Sequence, residues 1–497
     1  MPHWLTSAES HTVVGAESAA NGSPIPTRIV SNGEFTPLEQ TPAQRRVELR
    51  LAAHADTLAR PRGLSRREFL KTASGLATAF LAMNAEHGDL FAVSRAEAAD
   101  PEAAQERART LAGQFIFDDQ VHFVRDDYTN PLPFDLGRFA AKHWNPAMLE
   151  SAGMELSRFK FENFLKEIYL DSDTKIALLS GAPADDPARW LLRNDDMARA
   201  RTLVNDTAGS RRLLCHALFW PGTEDWLDDV DRSIETIRPE AWKGYTIGDP
   251  FSASNRPWRL DDEELVYPFY EKIRKAGIRN VCIHKGLLPK DYTRSQPELW
   301  RYATVDDVPK AARDWPDINF VIYHAALRPF LELPDAEAAG FEKTGTIQWA
   351  SDLAAIPARH GVKNVFAELG TSFANSAITH PRLAAGLVAT LVKGLGEDHV
   401  LWGTDSVWYG SPQWQIEALR RIEVPEDLAE RHALPRLGPA DGALKRAIFG
   451  LNGARLYGLD PRTVSRAVTG DTIERIKREY RETGIGRSNL AYGYIAR

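Results

Sequence analysis

Short apolar runs alternate with longer amphipathic stretches along residues 113–405. The runs are rich in Val, Ile, Leu and Phe and are bounded by Gly, Pro or Asp, which is typical of buried β-strands. The stretches between them, among them residues 186–205, 261–276, 305–315 and 381–395, have the spacing of apolar residues that an α-helix requires. The eight predicted strands are residues 115–122, 175–181, 212–219, 242–247, 280–284, 319–324, 362–369 and 399–404.

Eight strands that alternate with helices predict an α/β fold, a distorted (β/α)8 TIM barrel over residues 113–459. A doubly wound open sheet shares most of this pattern, but the number of strands and the polar residues at their ends favour the barrel. Residues 123–173 are too many for one crossover helix, and we expect them to form an inserted lid. The tail, residues 460–497, is predicted to be helical. Its charged helix over residues 471–483 would lie on the surface or at the contact of a homodimer.

The composition excludes several classes of protein. With 43% hydrophobic and 26% charged residues, the chain of 497 residues is neither largely disordered nor collagen-like. Its net charge of −7 at pH 7 provides no positive field for nucleic acid or anionic lipid, so we expect neither as a partner. Both cysteines, Cys215 and Cys282, lie in apolar runs, which predicts buried thiols rather than a disulfide.

The N-terminal region contains the motif SRREFLK at residues 65–71, followed by the uncharged residues 72–85. This segment resembles a bacterial twin-arginine (Tat) export signal, which implies the Tat machinery as a partner and a periplasmic or extracellular location. We therefore predict a disordered extension over residues 1–64 and a signal over residues 65–98. The apolar stretch is too short for a stable membrane span. The alternative is an amphipathic helix with an arginine pair in a cytoplasmic protein.

Four polar residues lie at the ends of the first, fifth, sixth and eighth predicted strands: His122, His284, His324 and Asp405. In a barrel these strand ends share one face, so the four residues would meet in one pocket. Imidazoles and a carboxylate are the usual ligands of a catalytic divalent ion that keeps a position open for water or substrate. Each residue alone could equally be a hydrogen-bonded core histidine or a helix cap. Their joint placement favours a metal site.

At this point the chain resembles the amidohydrolase superfamily, in particular the branch that contains aminocarboxymuconate semialdehyde decarboxylase, related aromatic-acid decarboxylases and many metal-dependent hydrolases. The resemblance runs from about residue 115 to about residue 459. It is carried by Ile283-His284, by His324, by GTDS at residues 403–406 and by NGARLYGL at residues 452–459. It implies that His122, His284 and Asp405 bind the metal and that His324 contacts the substrate or the water at the metal.

The first strand departs from the pattern of that family. Members commonly have His-x-His there, whereas this chain has Gln120 two residues before His122. Gln120 is therefore a candidate fourth ligand, although an amide oxygen binds more weakly than imidazole or carboxylate. The alternative is that Gln120 only hydrogen-bonds to a ligand. We expect one divalent ion, with zinc favoured over manganese on ligand grounds.

Other residues near the strand ends are candidates for the reaction. Glu368 ends the seventh strand and could act as an acid or base, or support a ligand histidine. Arg328 could hold a substrate carboxylate, and Trp408 could stack on a substrate ring. Lys243 lies at the start of its predicted strand, which indicates a structural or surface lysine and a mononuclear site.

These residues predict a metal-dependent hydrolase that acts on an ester, lactone or amide carbonyl of a small organic substrate. Asp405 would take the proton of the attacking water while His324 polarises the carbonyl. Two alternatives remain at this stage. One is metal-dependent non-oxidative decarboxylation of an aromatic or unsaturated acid. The other is an exported binding protein without activity.

Overall fold

The chain folds around an eight-stranded sheet whose parallel strands follow chain order. A computed structural model of the protein describes residues 23–27, 40–128, 159–250, 254–288, 293, 297–328 and 334–482. The strands are β1 (Phe117–Val121), β2 (Ile176–Leu179), β3 (Leu213–Leu218), β4 (Ala241–Tyr245), β5 (Asn280–His284), β6 (Asn319–Tyr323), β7 (Val365–Glu368) and β8 (Val400–Leu401). All eight predicted strands are present.

The sheet closes into a barrel because β1 bonds to the segment that follows β8. The Asp119 amide donates to the Trp402 carbonyl over 2.8 Å, and the Asp405 amide donates to the Gln120 carbonyl over 3.0 Å. Val121 forms a parallel bridge to Ser406 just beyond. The TIM-barrel prediction is therefore confirmed over the open sheet, since an open sheet would leave β1 and β8 as edges.

Helices separate most of the strands and cover the outside of the barrel. Two helix ends show how the chain returns to the sheet, since Gly209 and Gly277 adopt left-handed φ angles of 72° and 75° and stop the helix three or four residues before the next strand. The helices are α1 (Pro42–Ala59), α2 (Arg66–Leu70), α3 (Ala73–His87), α4 (Arg95–Ala99), α5 (Pro101–Leu111), α6 (Phe161–Leu165), α7 (Asn194–Ala208), α8 (Trp226–Arg232), α9 (Tyr267–Ala276), α10 (Val308–Asp314), α11 (Pro334–Thr344), α12 (Ala350–His360), α13 (Gly370–Thr379), α14 (Pro381–Leu395), α15 (Gln413–Arg421), α16 (Glu426–His432), α17 (Ala443–Arg446), α18 (Asn452–Leu456), α19 (Pro461–Thr469) and α20 (Thr472–Glu482).

The amino ends of the first strands are apolar. Phe117, Ile176, Leu178 and Leu214 form one buried cluster, and Leu459 packs against it after the last strand. Because this end is filled by hydrocarbon, the polar side chains that the barrel holds are free to gather toward the carboxyl ends of the strands. This is the end at which TIM-barrel enzymes place their active sites.

The N-terminal region differs from the predicted disordered extension. Residues 42–59 form α1, which begins with a capping box between Thr41 and Gln44. The following α2 and α3 contain the twin-arginine motif and the uncharged stretch, and Phe69 and Phe80 are buried. The periodicity of α3 was uninformative because its apolar residues surround the helix instead of forming one stripe. Export itself stays a prediction.

Most of the predicted lid, residues 129–158, lies outside the described residues. Its described flanks are held together by aromatic rings, since Phe123 lies 5.2 Å from Phe161 and 5.4 Å from Phe164 between centroids. The helical tail packs on its own barrel through an ion pair of 2.6 Å between Arg212 and Asp471. Among the described residues, no helix is both long and apolar enough to cross a membrane.

Candidate functional site

The four strand-end residues meet at one end of the barrel. His284 is the last residue of β5, His122 and His324 directly follow β1 and β6, and Asp405 follows β8. All four are buried. They lie close enough for Asp405 to interact electrostatically with each of the three histidines. The structure therefore brings together residues that lie up to 283 positions apart in the chain.

His122 Nε2 lies within hydrogen-bond distance of both an acceptor and a donor. Its Nε2 is 3.0 Å from Asp405 Oδ1, which can only accept a hydrogen bond, and 3.1 Å from Gln120 Nε2, which can only donate one. A single ring nitrogen cannot donate to the first and accept from the second at the same time. The Gln120 amide oxygen Oε1, in turn, is buried without a hydrogen-bond partner among the described residues. Rotating the amide by half a turn would place that oxygen beside His122 Nε2.

His284 is held between two rings. It stacks on Tyr245 with 4.7 Å between ring centroids and an angle of 12°, and its ring meets that of His324 edge-on at 4.8 Å. Burial lowers the pKa of His284 well below that of a free histidine, and the neighbouring His324 and Lys243 lower it further. The imidazole is therefore neutral near pH 7, which is the form that binds metals.

Asp405 is held in its ionised form. Burial by itself would raise its pKa, but the hydrogen bond from His122 and the electrostatic interactions with His324 and His122 lower the pKa below the usual range. Its second oxygen, Oδ2, accepts a hydrogen bond from the Thr371 hydroxyl. The backbone of Asp405 is in the left-handed region with a φ of 56°, which costs energy in a residue other than glycine and is common at functional sites.

His324 begins a strained turn, in which its φ of 60° is followed by φ values of 51° at Ala325 and 53° at Ala326. Its Nδ1 accepts a hydrogen bond from the Thr371 backbone N–H over 3.3 Å. A neutral imidazole that accepts at Nδ1 carries its proton at Nε2, and this atom is buried without a hydrogen-bond partner among the described residues. Burial lowers the pKa of His324 to about 3, so the ring stays neutral and can donate from Nε2.

The Glu368 carboxyl group binds the backbone of this turn. Its Oε2 accepts the His324 backbone N–H over 3.1 Å, and the residue is fully buried. Two glycines make room for the carboxyl group, since a Cβ added at Gly403 would lie 1.8 Å from Oε1 and one at Gly370 would lie 2.9 Å from Oε2. Burial raises the pKa of Glu368 well above its ordinary value. Of the two roles expected for it, the geometry supports that of positioning His324.

The two predicted substrate contacts lie in different surroundings. Trp408 is buried beside His122, with 6.0 Å between ring centroids, and its ring also lies 5.0 Å from that of Phe159. Arg328 forms an ion pair of 2.8 Å with Glu337. The structure therefore brings Trp408 to the candidate site, while the guanidinium of Arg328 is engaged by a carboxylate of its own chain.

Three further residues of this region are positioned in ways that the sequence did not indicate. Lys243 is the third residue of β4 and is fully buried, with its Nζ 3.5 Å from the centroid of the Tyr323 ring, so it is not a surface lysine. Asp118 fixes the segment after β8 by accepting from the Thr404 backbone N–H over 2.9 Å. Burial raises the pKa of Asp118 to about 7 and that of Asp119 to about 8.

Thr371 is the residue that sequence reasoning missed. It contacts both Asp405 and His324 and is fully buried. A signal was available, because Thr371 lies only two residues after the predicted seventh strand, but a hydroxyl is not a typical metal ligand.

The donor set fits a divalent ion. Among the described residues, no three His, Cys, Asp or Glu side chains are already arranged as a metal site. With the Gln120 amide turned so that its oxygen faces His122, a cation there could accept electron pairs from the imidazole, from Asp405 and from the amide oxygen together. His122, His284 and Asp405 are the residues that could hold it, with Gln120 beside them.

Comparison with known proteins finds a family similarity in the second half of the barrel. A family model described as amidohydrolase matches residues 249–459. This segment contains His284, His324 and Asp405, whereas β1 with Gln120 and His122 precedes it. A search of curated proteins found no match.

Solved structures of similar shape include three whose chains are covered almost completely. An uncharacterised TIM-barrel protein from Bordetella bronchiseptica has 13% identity and a TM-score of 0.45, with 69% of this chain and 98% of that chain covered. A dihydroxybenzoic acid decarboxylase from a Polaromonas species, with bound manganese and the inhibitor 2-nitroresorcinol, has 13% identity and a TM-score of 0.42, with 69% and 97% covered. An amidohydrolase from Burkholderia multivorans with bound zinc has 16% identity and a TM-score of 0.37, with 70% and 100% covered. The family model alone shows that residues 249–459 of this chain are similar to the amidohydrolase family.

Proposed function

We propose that this protein is a metal-dependent hydrolase that cleaves an ester, lactone or amide bond of a small organic substrate. The observation that carries the proposal is that the buried His122, His284 and Asp405 meet at the carboxyl end of the barrel, with His122 Nε2 3.0 Å from Asp405 Oδ1 and 3.1 Å from the Gln120 amide. A divalent ion bound there would lower the pKa of a water molecule toward neutrality. His122, His284 and Asp405 would hold it.

The residues of the chain divide the remaining work. Asp405 is ionised, and its oxygen beside His122 can take the proton of an attacking water. His324 is neutral and presents its Nε2 proton, which can donate a hydrogen bond to the substrate carbonyl as charge develops on the oxygen. A neutral imidazole held by a backbone N–H needs no proton from solvent to do this. Trp408 would form one wall of the pocket.

The test combines metal analysis with a substrate screen. The full-length protein is stripped with a chelator, titrated with zinc and with manganese, and then assayed on esters, lactones, amides and aromatic carboxylic acids. We expect one bound ion per chain and metal-dependent release of an acid from one of the carbonyl substrates. Release of carbon dioxide from an aromatic acid, without hydrolysis of any carbonyl substrate, would contradict the hydrolase proposal and identify the protein as a decarboxylase. A protein that binds no ion would contradict both reactions.

A further inference from the structure

Thr371 connects the two residues that the proposed function uses as base and hydrogen-bond donor. It is the second residue of α13, directly after β7. Its hydroxyl donates to Asp405 Oδ2, and its backbone N–H donates to His324 Nδ1 over 3.3 Å. We propose that Thr371 is a positioning residue that sets which atoms of Asp405 and His324 face the pocket, an inference that rests on the proposed function.

Tyr409 fixes the direction of the hydrogen bonds. Its hydroxyl oxygen lies 2.5 Å from Thr371 Oγ1, and all three side chains in this group are buried. The threonine hydroxyl has one proton, and the ionised carboxylate of Asp405 can only accept it. Tyr409 must therefore donate to Thr371, and Thr371 to Asp405. This chain occupies Oδ2 and leaves Oδ1 directed at His122.

Thr371 also makes His324 a hydrogen-bond donor toward the pocket. Because the backbone N–H of Thr371 donates to Nδ1, the ring proton lies at Nε2. Asp405 thus presents an acceptor and His324 a donor, and both assignments follow from the single position of Thr371. Gly370 permits this approach, since a Cβ there would lie 2.6 Å from His324 Nδ1.

The test replaces Thr371 by valine, which keeps the shape and removes the hydroxyl. Loss of a hydrogen bond to a ligand carboxylate should weaken zinc binding by the chelator-treated protein about 10- to 100-fold. Thr371→Ser keeps the hydroxyl and should restore most of the affinity. The matched control is Thr379→Val in the same helix, where the lost hydroxyl only donates to the Asn375 carbonyl, and its zinc affinity should equal that of the wild type.

The outcomes separate this inference from the proposed function. Wild-type zinc affinity in Thr371→Val would overturn the positioning role while leaving the metal site intact. A loss of equal size in Thr379→Val would also overturn it, because the effect would then belong to the stability of α13. Absence of zinc binding in the wild type would overturn the metal site and the role of Thr371 together.

A second inference concerns the twin-arginine segment and rests on other contacts. A short antiparallel bridge joins Phe91 to Ile422, and the Ala92 amide donates to the Arg421 carbonyl over 2.8 Å. The Glu423 amide donates back to the Leu90 carbonyl over 2.9 Å. These bonds tie the end of the predicted signal to the loop after α15, which belongs to the barrel domain.

A buried cluster of charges strengthens this junction. Arg421 is paired with Glu97 and, over 3.0 Å, with Glu417. Arg107 pairs with Glu417 over 2.5 Å from the other side. Three of these residues are almost fully buried, so removal of Glu97 would leave the buried Arg421 with one of its two carboxylate partners and weaken the junction.

The motif itself has a structural explanation. Ser65 and Glu68 form a capping box at the start of α2, so the SRRE part of SRREFLK is also the signature of a helix N-terminus. Phe69 is fully buried, with the guanidinium of Arg62 5.1 Å above its ring, while Arg66 is exposed. We infer that residues 42–98 are a permanent part of the folded enzyme and are not removed, even if the chain is exported.

The test compares the full-length protein with a chain that begins at residue 99, the product of cleavage after Ala98. We expect the shorter chain to be insoluble or to unfold at least about 5 °C lower. Glu97→Gln in the full-length protein should lower the Tm in the same direction, and Glu106→Gln, which breaks an exposed pair with Arg109, should leave it unchanged. A shorter chain with the Tm of the full-length protein, or a folded protein isolated from cells with its N-terminus at residue 99, would overturn the inference.

Discussion

Gly403→Ala tests how tightly the support of the candidate site is packed. The added Cβ would lie 1.8 Å from Glu368 Oε1 and 2.6 Å from the carboxyl carbon. Since ordinary contacts are about 3.5 Å, the carboxyl group would have to retreat by roughly 1.5 Å. Glu368 is fully buried and accepts the His324 backbone N–H, so a shift of this size would stretch or break that hydrogen bond. We expect a loss of about 1–3 kcal/mol in the free energy of unfolding.

A double-mutant cycle separates this clash from a general effect of the methyl group. Denaturant unfolding is measured for Gly403→Ala, Glu368→Ala and the double variant. The methyl group should cost at least about 1 kcal/mol less in the Glu368→Ala background, because its collision partner is gone. Gly470→Ala, where nothing lies within 4 Å of the added Cβ, serves as the neutral control. Additive effects of the two substitutions would show that the methyl group at residue 403 does not collide with the carboxyl group of Glu368.

Three further predictions concern other parts of the protein. Gln120→His should tighten zinc binding, because an imidazole beside His122 is a better ligand than an amide, and an unchanged affinity in a zinc titration would remove Gln120 from the ligand position. Glu417→Gln should make the stability of the protein fall less steeply in acid. Burial raises the pKa of Glu417, but the surrounding arginines outweigh it and lower the pKa to about 2, so the stabilisation by Glu417 is present above its ordinary pKa of 4.5 and is lost as the pH falls toward 2. Equal slopes of Tm against pH for the variant and the wild type would contradict this. Changing Arg66 and Arg67 together to Lys should keep the protein in the cytoplasm, and fractionation that finds the variant exported as before would exclude a Tat signal.

The barrel and the meeting of the strand-end residues were predictable because both follow from periodicity. Once His284 and Asp405 are recognised at the ends of parallel strands, the topology alone brings them to one end of the barrel. The supports of the site were not predictable in this way. The contacts of Thr371 and Glu368 depend on left-handed turns at His324 and Asp405, and such turns leave no periodic signal in the sequence.

The N-terminal helices show a second limit. The residues of α3 are apolar on all sides, which is typical both of an export signal and of a helix buried between a helical layer and a barrel. Long-range contacts such as those of Glu97 and Phe91 with the segment around Arg421 distinguish the two, and these join residues more than 300 positions apart.

The central claim is that His122, His284 and Asp405 bind one divalent ion. It is tested most directly by titrating the chelator-treated protein with zinc and comparing Asp405→Asn with Asp352→Asn, a change of an exposed aspartate. We predict one ion per chain for the wild type and for Asp352→Asn, and an affinity at least about tenfold lower for Asp405→Asn, which loses the charge that offsets the cation. Equal affinity of all three proteins, or no binding by the wild type, would contradict the account.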